Sequence, residues 1–565
     1  MDFDGILEEI GECGRYQKIN YLLICLPVMF AAANSLSYVF TAGIPNYRCL
    51  IPECGESSTN FELNSPWLVN ATPGTNSHGK FTPEKCLRYE VLNDTSASAG
   101  ILTGACSKEK FNQMSKVRCH EWVFDTQEYT IVQEWELTCS ENAWKLALVG
   151  TMHFAGLVAG TATSGFFADR YGRKLIFIVC IVFMAITGIL QGIAWDYNSF
   201  IVFAFLNAVG TSAVYPLAFI IGVEMVGPKR REMASIVLNY FYAVGEALVG
   251  LAAWLLPNWQ LLQIVLSAPP LIFIAYYWMV PESVRWLIAR EDYEKAKKII
   301  TKAAKTNKKE LSVTLLDSFD NANKRRRGRC EEDKNWDHTK STSSTNSDNI
   351  RFESDEKGEI YGAVRDVFKS KKLCIRYALL LYIWGVNALV FYGLSLNSTN
   401  LSGNKYINFA LVCLVEIPGY SLAWVMLNKF GRRLSLTGSL LLCAVTCVAG
   451  GYVARSIEWA VITLFLIGKL GITSSFAILY TYTAEMMPTI IRSGGVGCMS
   501  TFARFGAMLA PFVPLLGMYY ETLPLLVFGT ISLSAGLLGL FLPETFQKKL
   551  PDTVKEAKSL LSDER

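Results

Sequence analysis

The chain has 565 residues, of which 51% are hydrophobic and only 18% charged, with a mean hydropathy of +0.27. Soluble domains carry roughly 25% charged residues, so a soluble globular protein of this length is excluded. A net charge of +4 is too small to imply a nucleic-acid partner.

Residues 1–19 are polar and partly acidic, without a cleavable-signal pattern, so the first apolar run is expected to stay as a helix. Apolar runs of about 20 residues, the length that crosses a bilayer, recur along the chain. They predict twelve spans, at 20–42, 143–168, 174–195, 199–227, 232–256, 259–280, 373–396, 406–428, 433–454, 458–484, 492–517 and 521–542. Two long polar segments interrupt them, 43–142 and 281–372, and 543–565 closes the chain. The predicted class is an all-α membrane protein.

Lysine and arginine set its orientation. Arg170, Arg173 and Lys174 follow span 2, Lys229 to Arg231 follow span 4, and Lys429, Arg432 and Arg433 follow span 8. The 281–372 segment is also basic. All these loops fall on one side, expected to be the cytosol, which also places both termini there and 43–142 outside.

The outer segment agrees independently. Its six cysteines, Cys49, Cys54, Cys86, Cys106, Cys119 and Cys139, are even in number and point to disulfides, although sequence alone does not choose the pairing. Asn70 and Asn93 stand in glycosylation sequons. Asn397 and Asn400 also fit the pattern but lie against the end of span 7. The remaining cysteines show no ligand-like spacing and read as packing residues. In the inner segment, Ala296, Ile299 and Ile300 beside Glu294, Lys297 and Lys298 predict short amphipathic helices. From about Asn321 to Asp355 the composition turns basic and then Ser/Thr/Asn-rich, which predicts disorder. Its Lys324–Arg327 run reads first as a solvated charge block and second as a lipid-contacting patch.

Three landmarks recur. Asp169-Arg-Tyr-Gly-Arg-Lys174 is echoed by Asn428-Lys-Phe-Gly-Arg-Arg433, Glu224-Met225 with Arg231 by Glu485-Met486 with Arg492, and Pro281-Glu282 by Pro543-Glu544. The offsets are 259, 261 and 262 residues. The chain therefore reads as two six-span halves in parallel repeat, the plan of carriers with a central substrate path. Asp169, Arg170, Arg173, Glu224, Arg231, Arg432, Glu485 and Arg492 then read as a gate, with ion pairs that join the halves on the cytosolic side when the outside is open and break for inward opening. The alternative is that these charges only enforce topology.

Ionisable residues deep in the spans are costly unless partnered or wet. Glu246, Glu416, Lys469 and Arg504 are the clearest. Arg504 can hold a carboxylate bidentately and does not deprotonate. Glu246 or Glu416 can hold an ammonium. The structural alternative is permanent pairing, Glu416 with Lys469 or Glu246 with Arg504. Tyr215, Tyr242, Trp384, Phe391 and Phe476 offer faces for an alkylammonium, and Trp384 and Phe391, seven apart, share a helix face. His153 in span 2 reads as a packing residue. No nucleotide-binding loop, metal spacing or nucleophile–base motif stands out. Neither an enzyme nor an ATP-driven pump is therefore indicated, and no metal or cofactor is expected. A receptor or structural role remains the reading from a different class.

Gly165-Phe-Phe-Ala-Asp-Arg-Tyr-Gly-Arg-Lys174 resembles the loop motif of the major facilitator superfamily. Pro281-Glu-Ser-Val-Arg-Trp-Leu287 and the large cysteine-rich loop after span 1 are similar to its solute carrier 22 group of organic ion transporters. Phe391-Tyr-Gly-Leu-Ser-Leu-Asn397, Val415-Glu-Ile-Pro418, Gly468-Lys-Leu-Gly-Ile472 and Leu542-Pro-Glu544 look most like the carnitine and zwitterion branch. The resemblance implies the major facilitator fold and substrate roles for Tyr215, Trp384 and Phe391. It also implies that Arg504 stands where cation carriers place an aspartate and where anion and carnitine carriers place an arginine. The expected function is a plasma-membrane, multi-pass carrier of small amine-containing organic ions. Zwitterions such as carnitine, β-alanine or carcinine come first, with an organic anion exchanger or a polyspecific cation carrier as alternatives. Coupling to sodium or protons and the oligomeric state are left open.

Overall fold

A computed structural model describes residues 3–56, 61–62, 65–77, 80–92, 106–227, 230–313, 317–321, 323, 362, 364–453, 457–548, 551 and 553–559. Among them, eleven helices are long and apolar enough to cross a membrane: Arg15–Thr41, Cys139–Tyr171, Arg173–Gly192, Tyr197–Met225, Arg231–Leu255, Trp259–Met279, Lys371–Asn400, Lys405–Phe430, Arg432–Tyr452, Glu458–Met486 and Gly494–Met518. A twelfth apolar helix, Leu523–Gly539, is shorter. In chain order these are spans 1 to 12. Large apolar side chains such as Trp254, Ile272, Trp278 and Val445 are exposed on their outer surfaces, as suits helices bathed in hydrocarbon rather than water.

Polar side chains start several of these helices. Asp196 accepts from the Ser199 amide at 2.9 Å at the head of span 4, and this bond holds its carboxyl below the usual carboxylate range. Asn258 and Asn404 cap spans 6 and 8 in the same way. In the first half spans 2, 3 and 4 pack together and span 6 packs on span 3, and in the second half span 9 packs on spans 10 and 12. The halves meet where span 2 crosses span 11 and span 5 crosses span 8. Small residues set the approach of spans 7 and 11, because a Cβ on Gly506 would run into the backbone of Gly385. This closeness brings Arg504 beside the aromatic face of span 7.

The 43–138 segment, read from sequence as a large loop between spans 1 and 2, carries short strands of its own. It contains three antiparallel strand pairs: Tyr47–Cys49 with Trp122–Phe124, Gly74–Ser77 with Lys80–Pro83, and Leu87–Val91 with Phe111–Arg118. Three disulfides fasten it, Cys49–Cys119, Cys54–Cys106 and Cys86–Cys139. The third ties the segment to the first residue of span 2. Arg48 is fully buried beneath it, ion-paired with Glu56 and between the Phe61 and Trp67 rings. The Asn70 amide donates to the Cys106 carbonyl at 3.2 Å. Asn93, the Lys324–Arg327 run and most of the 321–355 insert lie outside the described residues.

On the opposite face the helices Phe3–Ile10, Val284–Ala289 and Tyr293–Asn307 join through Ile6, Ile10, Leu287, Ala296, Ile300 and Ala303. Asn307 locks the group to span 1, donating to the Ile10 carbonyl at 3.0 Å and to Gln17 at 2.8 Å. The amphipathic pattern from Glu294 onward is thus explained. The helix at the N-terminus is an addition that its polar composition conceals.

Candidate functional site

Two duplicate charge clusters sit on the face opposite the disulfide-linked segment. In the first half Arg173 pairs with Glu224, and Ser283 donates to Glu224 at 2.5 Å. Glu282 accepts from the backbone amide of Lys174 at 3.0 Å, across a turn opened by Gly172 at φ 109°. In the second half Arg432 grips Glu485 with N···O distances of 2.8 and 2.9 Å. Thr545 donates to Glu485 at 2.7 Å. Glu544 accepts from the amides of Arg432 and Arg433 at 2.9 and 3.0 Å, after Gly431 at φ 81°. Each member has its counterpart in the other half, so the duplication read from three landmarks extends to individual bonds.

Pairing of these charges across the halves is expected for the outward-open state; in this structure, joined on the disulfide-bearing face, they pair within each half. Arg173–Glu224 and Arg432–Glu485 each lie inside one half. The physical reason is that each arginine opens a helix whose amides are already held by an acid of its own half. Asp169 is exposed, and its backbone carbonyl accepts from Trp286 and Arg290 at 3.0 and 3.2 Å. Arg290 also reaches the Arg170 carbonyl at 2.6 Å. Arg492 donates to the Met487 carbonyl at 3.3 Å, and Arg231 opens span 5. The sequence reading noticed Glu282 and Glu544 as repeat landmarks but gave them no task. Their partners are over a hundred positions away, so spacing carried no signal.

Cross-half contacts concentrate instead on the face that carries the disulfides. Lys405 pairs with Glu128, and Phe40 stacks on Tyr406 with ring centroids 5.5 Å apart. Thr151 donates to the Met508 carbonyl at 2.9 Å.

The intramembrane charges form two groups. Glu416 and Lys469 are both 0% exposed and pair at 2.8 Å. Lys469 also donates to Ser395 at 2.8 Å and to the Phe391 carbonyl at 3.1 Å, with its ammonium 3.4 Å from the Phe391 ring centre. Its three donors are therefore used. Glu246, also 0% exposed, stands on span 5 where it packs against span 8, within electrostatic reach of Glu416 and Lys469. Arg504 stands apart. It is half-buried, its one hydrogen bond among the described residues is to the Ser500 carbonyl at 3.4 Å, and no described carboxylate lies within ion-pair distance of it. The proposed Glu246–Arg504 pair is thus absent from the described residues.

The aromatics surround these charges. Tyr215 and Tyr242 meet edge to face at 5.5 Å, and Tyr215 donates to Asn239 at 2.8 Å. Trp384 is fully buried and donates to Thr483 at 3.0 Å, while Phe391 contacts Phe476 at 5.3 Å. Two rings passed over in the sequence join them, Tyr480 exposed and Tyr392 partly so. Tyr480 lies 4.6 Å from Trp384, and Tyr392 sits within electrostatic reach of Arg504, Glu246 and Tyr480. Spacing did not single them out, since Tyr392 adjoins Phe391 on a different helix face and Tyr480, four after Phe476, is one of many intramembrane aromatics. His153 is buried between Tyr38 and Phe154.

Comparison with known proteins fits this arrangement. The Major Facilitator Superfamily profile matches residues 129–511. The organic cation transporter protein of Drosophila melanogaster is 33% identical over 99% of this chain and 95% of its own length. Human organic cation/carnitine transporter 2 is 30% identical over 98% and 94%. Among solved structures, an inward-open form of the xylose transporter XylE from E. coli aligns with a TM-score of 0.53 at 16% identity, covering 77% of this chain and 92% of that one. Duplicated halves, paired clusters on one face and near full-length likeness to these relatives lead to one assignment: the chain belongs to the Major Facilitator Superfamily of membrane transporters and, within it, to the solute carrier 22 group.

Proposed function

We propose that this protein is a plasma-membrane carrier of small amine-containing organic ions, with zwitterions such as carnitine or β-alanine as its best substrates, working by alternating access. The face with the three disulfides is the extracellular one, and the basic face with the duplicated clusters is cytosolic. The observation that carries the substrate reading is Arg504, a permanent mid-membrane cation with no described carboxylate partner. Lys469, by contrast, is fully used by Glu416, Ser395 and Phe391. A substrate carboxylate is the natural partner for Arg504, and the rings of Tyr392, Phe476 and Tyr480 can receive the amine end. The relatives' names favour a second reading, an organic cation carrier in which Arg504 tunes rather than binds.

Uptake of labelled carnitine, β-alanine, tetraethylammonium and an aromatic anion by wild type and Arg504→Ala separates these readings. A charge-assisted carboxylate contact contributes about 1.5–3 kcal/mol, so kcat/KM for the carboxylate substrates should fall roughly 10- to 100-fold. Tetraethylammonium uptake should persist. Unchanged carnitine and β-alanine uptake in the variant rejects the assignment.

A further inference from the structure

Glu246 on span 5 and Glu416 on span 8 belong to helices that pack across the seam between the halves, and the two carboxyls lie within electrostatic reach of each other. Both residues are 0% exposed. Among the described residues, no donor reaches either oxygen of Glu246, and Glu416 holds Lys469 through one oxygen. Two ionised carboxyls against one ammonium would leave an uncompensated charge in a buried site and press two like charges together. A single proton removes both problems, since it makes one carboxyl a donor to the other.

We propose that Glu246 and Glu416 form a proton-binding site that latches the two halves deep in the membrane, beneath the disulfide-bearing face. The other ionisable groups facing Glu246 are Tyr242 on its own span, Tyr392 on span 7, and Cys413 and Tyr420 on span 8. Lys469 reaches it from span 10, and Arg504 on span 11 faces Tyr392. None of these is a second cation in contact with the acids. When the halves part on this face, the carboxylic O–H bond breaks, the proton passes to water and both electrons stay on the carboxylate. Reclosure takes a proton back from the same side. The site rests on the two-half architecture and not on which organic ion is carried.

The test uses the full-length protein in lipid nanodiscs. Infrared spectroscopy should show the C=O stretch of a protonated carboxylic acid in wild type at neutral pH, and Glu246→Gln should lose it. Spin labels on Ile193→Cys and Tyr520→Cys, exposed positions at the disulfide-bearing ends of spans 3 and 11, report the gap between halves once reactive native thiols are replaced. Their separation should lengthen from mildly acidic to alkaline pH. In Glu246→Gln it should stay short throughout, and Glu246→Asp should restore the response. A wild type without the carboxylic acid band, or with a separation indifferent to pH, overturns the site. Neither readout needs substrate, so a failed uptake panel would reject the substrate reading without touching this one. Should the variants not fold, the wild-type band and wild-type separation still decide.

Discussion

Lys469 shows how far one residue's surroundings decide its role. Its ammonium has three acceptors within 3.1 Å and no exposed surface. Removing it strands the Glu416 carboxylate, and breaking a buried pair from one side costs about 3–5 kcal/mol. Lys469→Met should therefore lower the yield of folded protein and its Tm in detergent. The double variant Glu416→Gln/Lys469→Met should recover much of both, because neither neutral side chain leaves a bare charge. A double variant as damaged as the single one would refute this account. The sequence already showed that Glu246, Glu416, Lys469 and Arg504 are costly in apolar runs. It did not show which would pair. Periodicity places residues on one helix face, but Glu416 and Lys469 lie on different spans, and their meeting depends on how spans 8 and 10 pack. The same limit hid Tyr392 and Tyr480, whose exposure is set by neighbouring helices.

At the scale of elements, the two acid-capped turns carry most of the information. Spans 3 and 9 each begin after a glycine in the left-handed region, Gly172 and Gly431, where an L side chain is strained. Each first turn presents amides that Glu282 or Glu544 accepts. A carboxylate at a helix start contributes typically 0.3–1 kcal/mol, and up to about 2 when partly buried. Glu544→Ala should raise amide exchange in the first turn of span 9, roughly 2- to 30-fold for that range, with span 3 unchanged. Glu282→Ala should do the reverse. Hydrogen exchange read by mass spectrometry on the peptides around 173–177 and 432–436 checks both, and equal protection in variant and wild type would remove the capping role. The repeat itself was legible because its landmarks are local. The bonds were not, because each joins residues more than a hundred apart.

For the whole molecule, the distribution of contacts identifies the conformation. Duplicated ion pairs stay within their halves on one face, while Glu128–Lys405, Phe40–Tyr406 and Thr151–Met508 bind the halves together on the other. The halves are thus closed where the disulfides are, and the lock of this state lies there. The lock that the sequence reading assigned to the basic loops belongs to the opposite, outward-open state. The closing contacts include the Phe40–Tyr406 stack, which a sequence full of intramembrane aromatics does not single out. Lys405 and Glu128 are partly exposed, so their pair is screened and contributes about 1 kcal/mol or less, a few-fold in the closed-to-open ratio. Phe40 buries a whole ring against Tyr406 and Phe409, so its loss should cost more, around 3 kcal/mol. Cys413, buried at this seam, is a native reporter. Its modification by a membrane-impermeant maleimide from the disulfide-bearing side should speed up modestly in Lys405→Gln and strongly in Phe40→Ala. The charge swap Glu128→Lys/Lys405→Glu should return to the wild-type rate. Phe40→Ala no faster than wild type would mean that this face does not set the equilibrium, and that closure is held deeper, at the Glu246–Glu416 site alone.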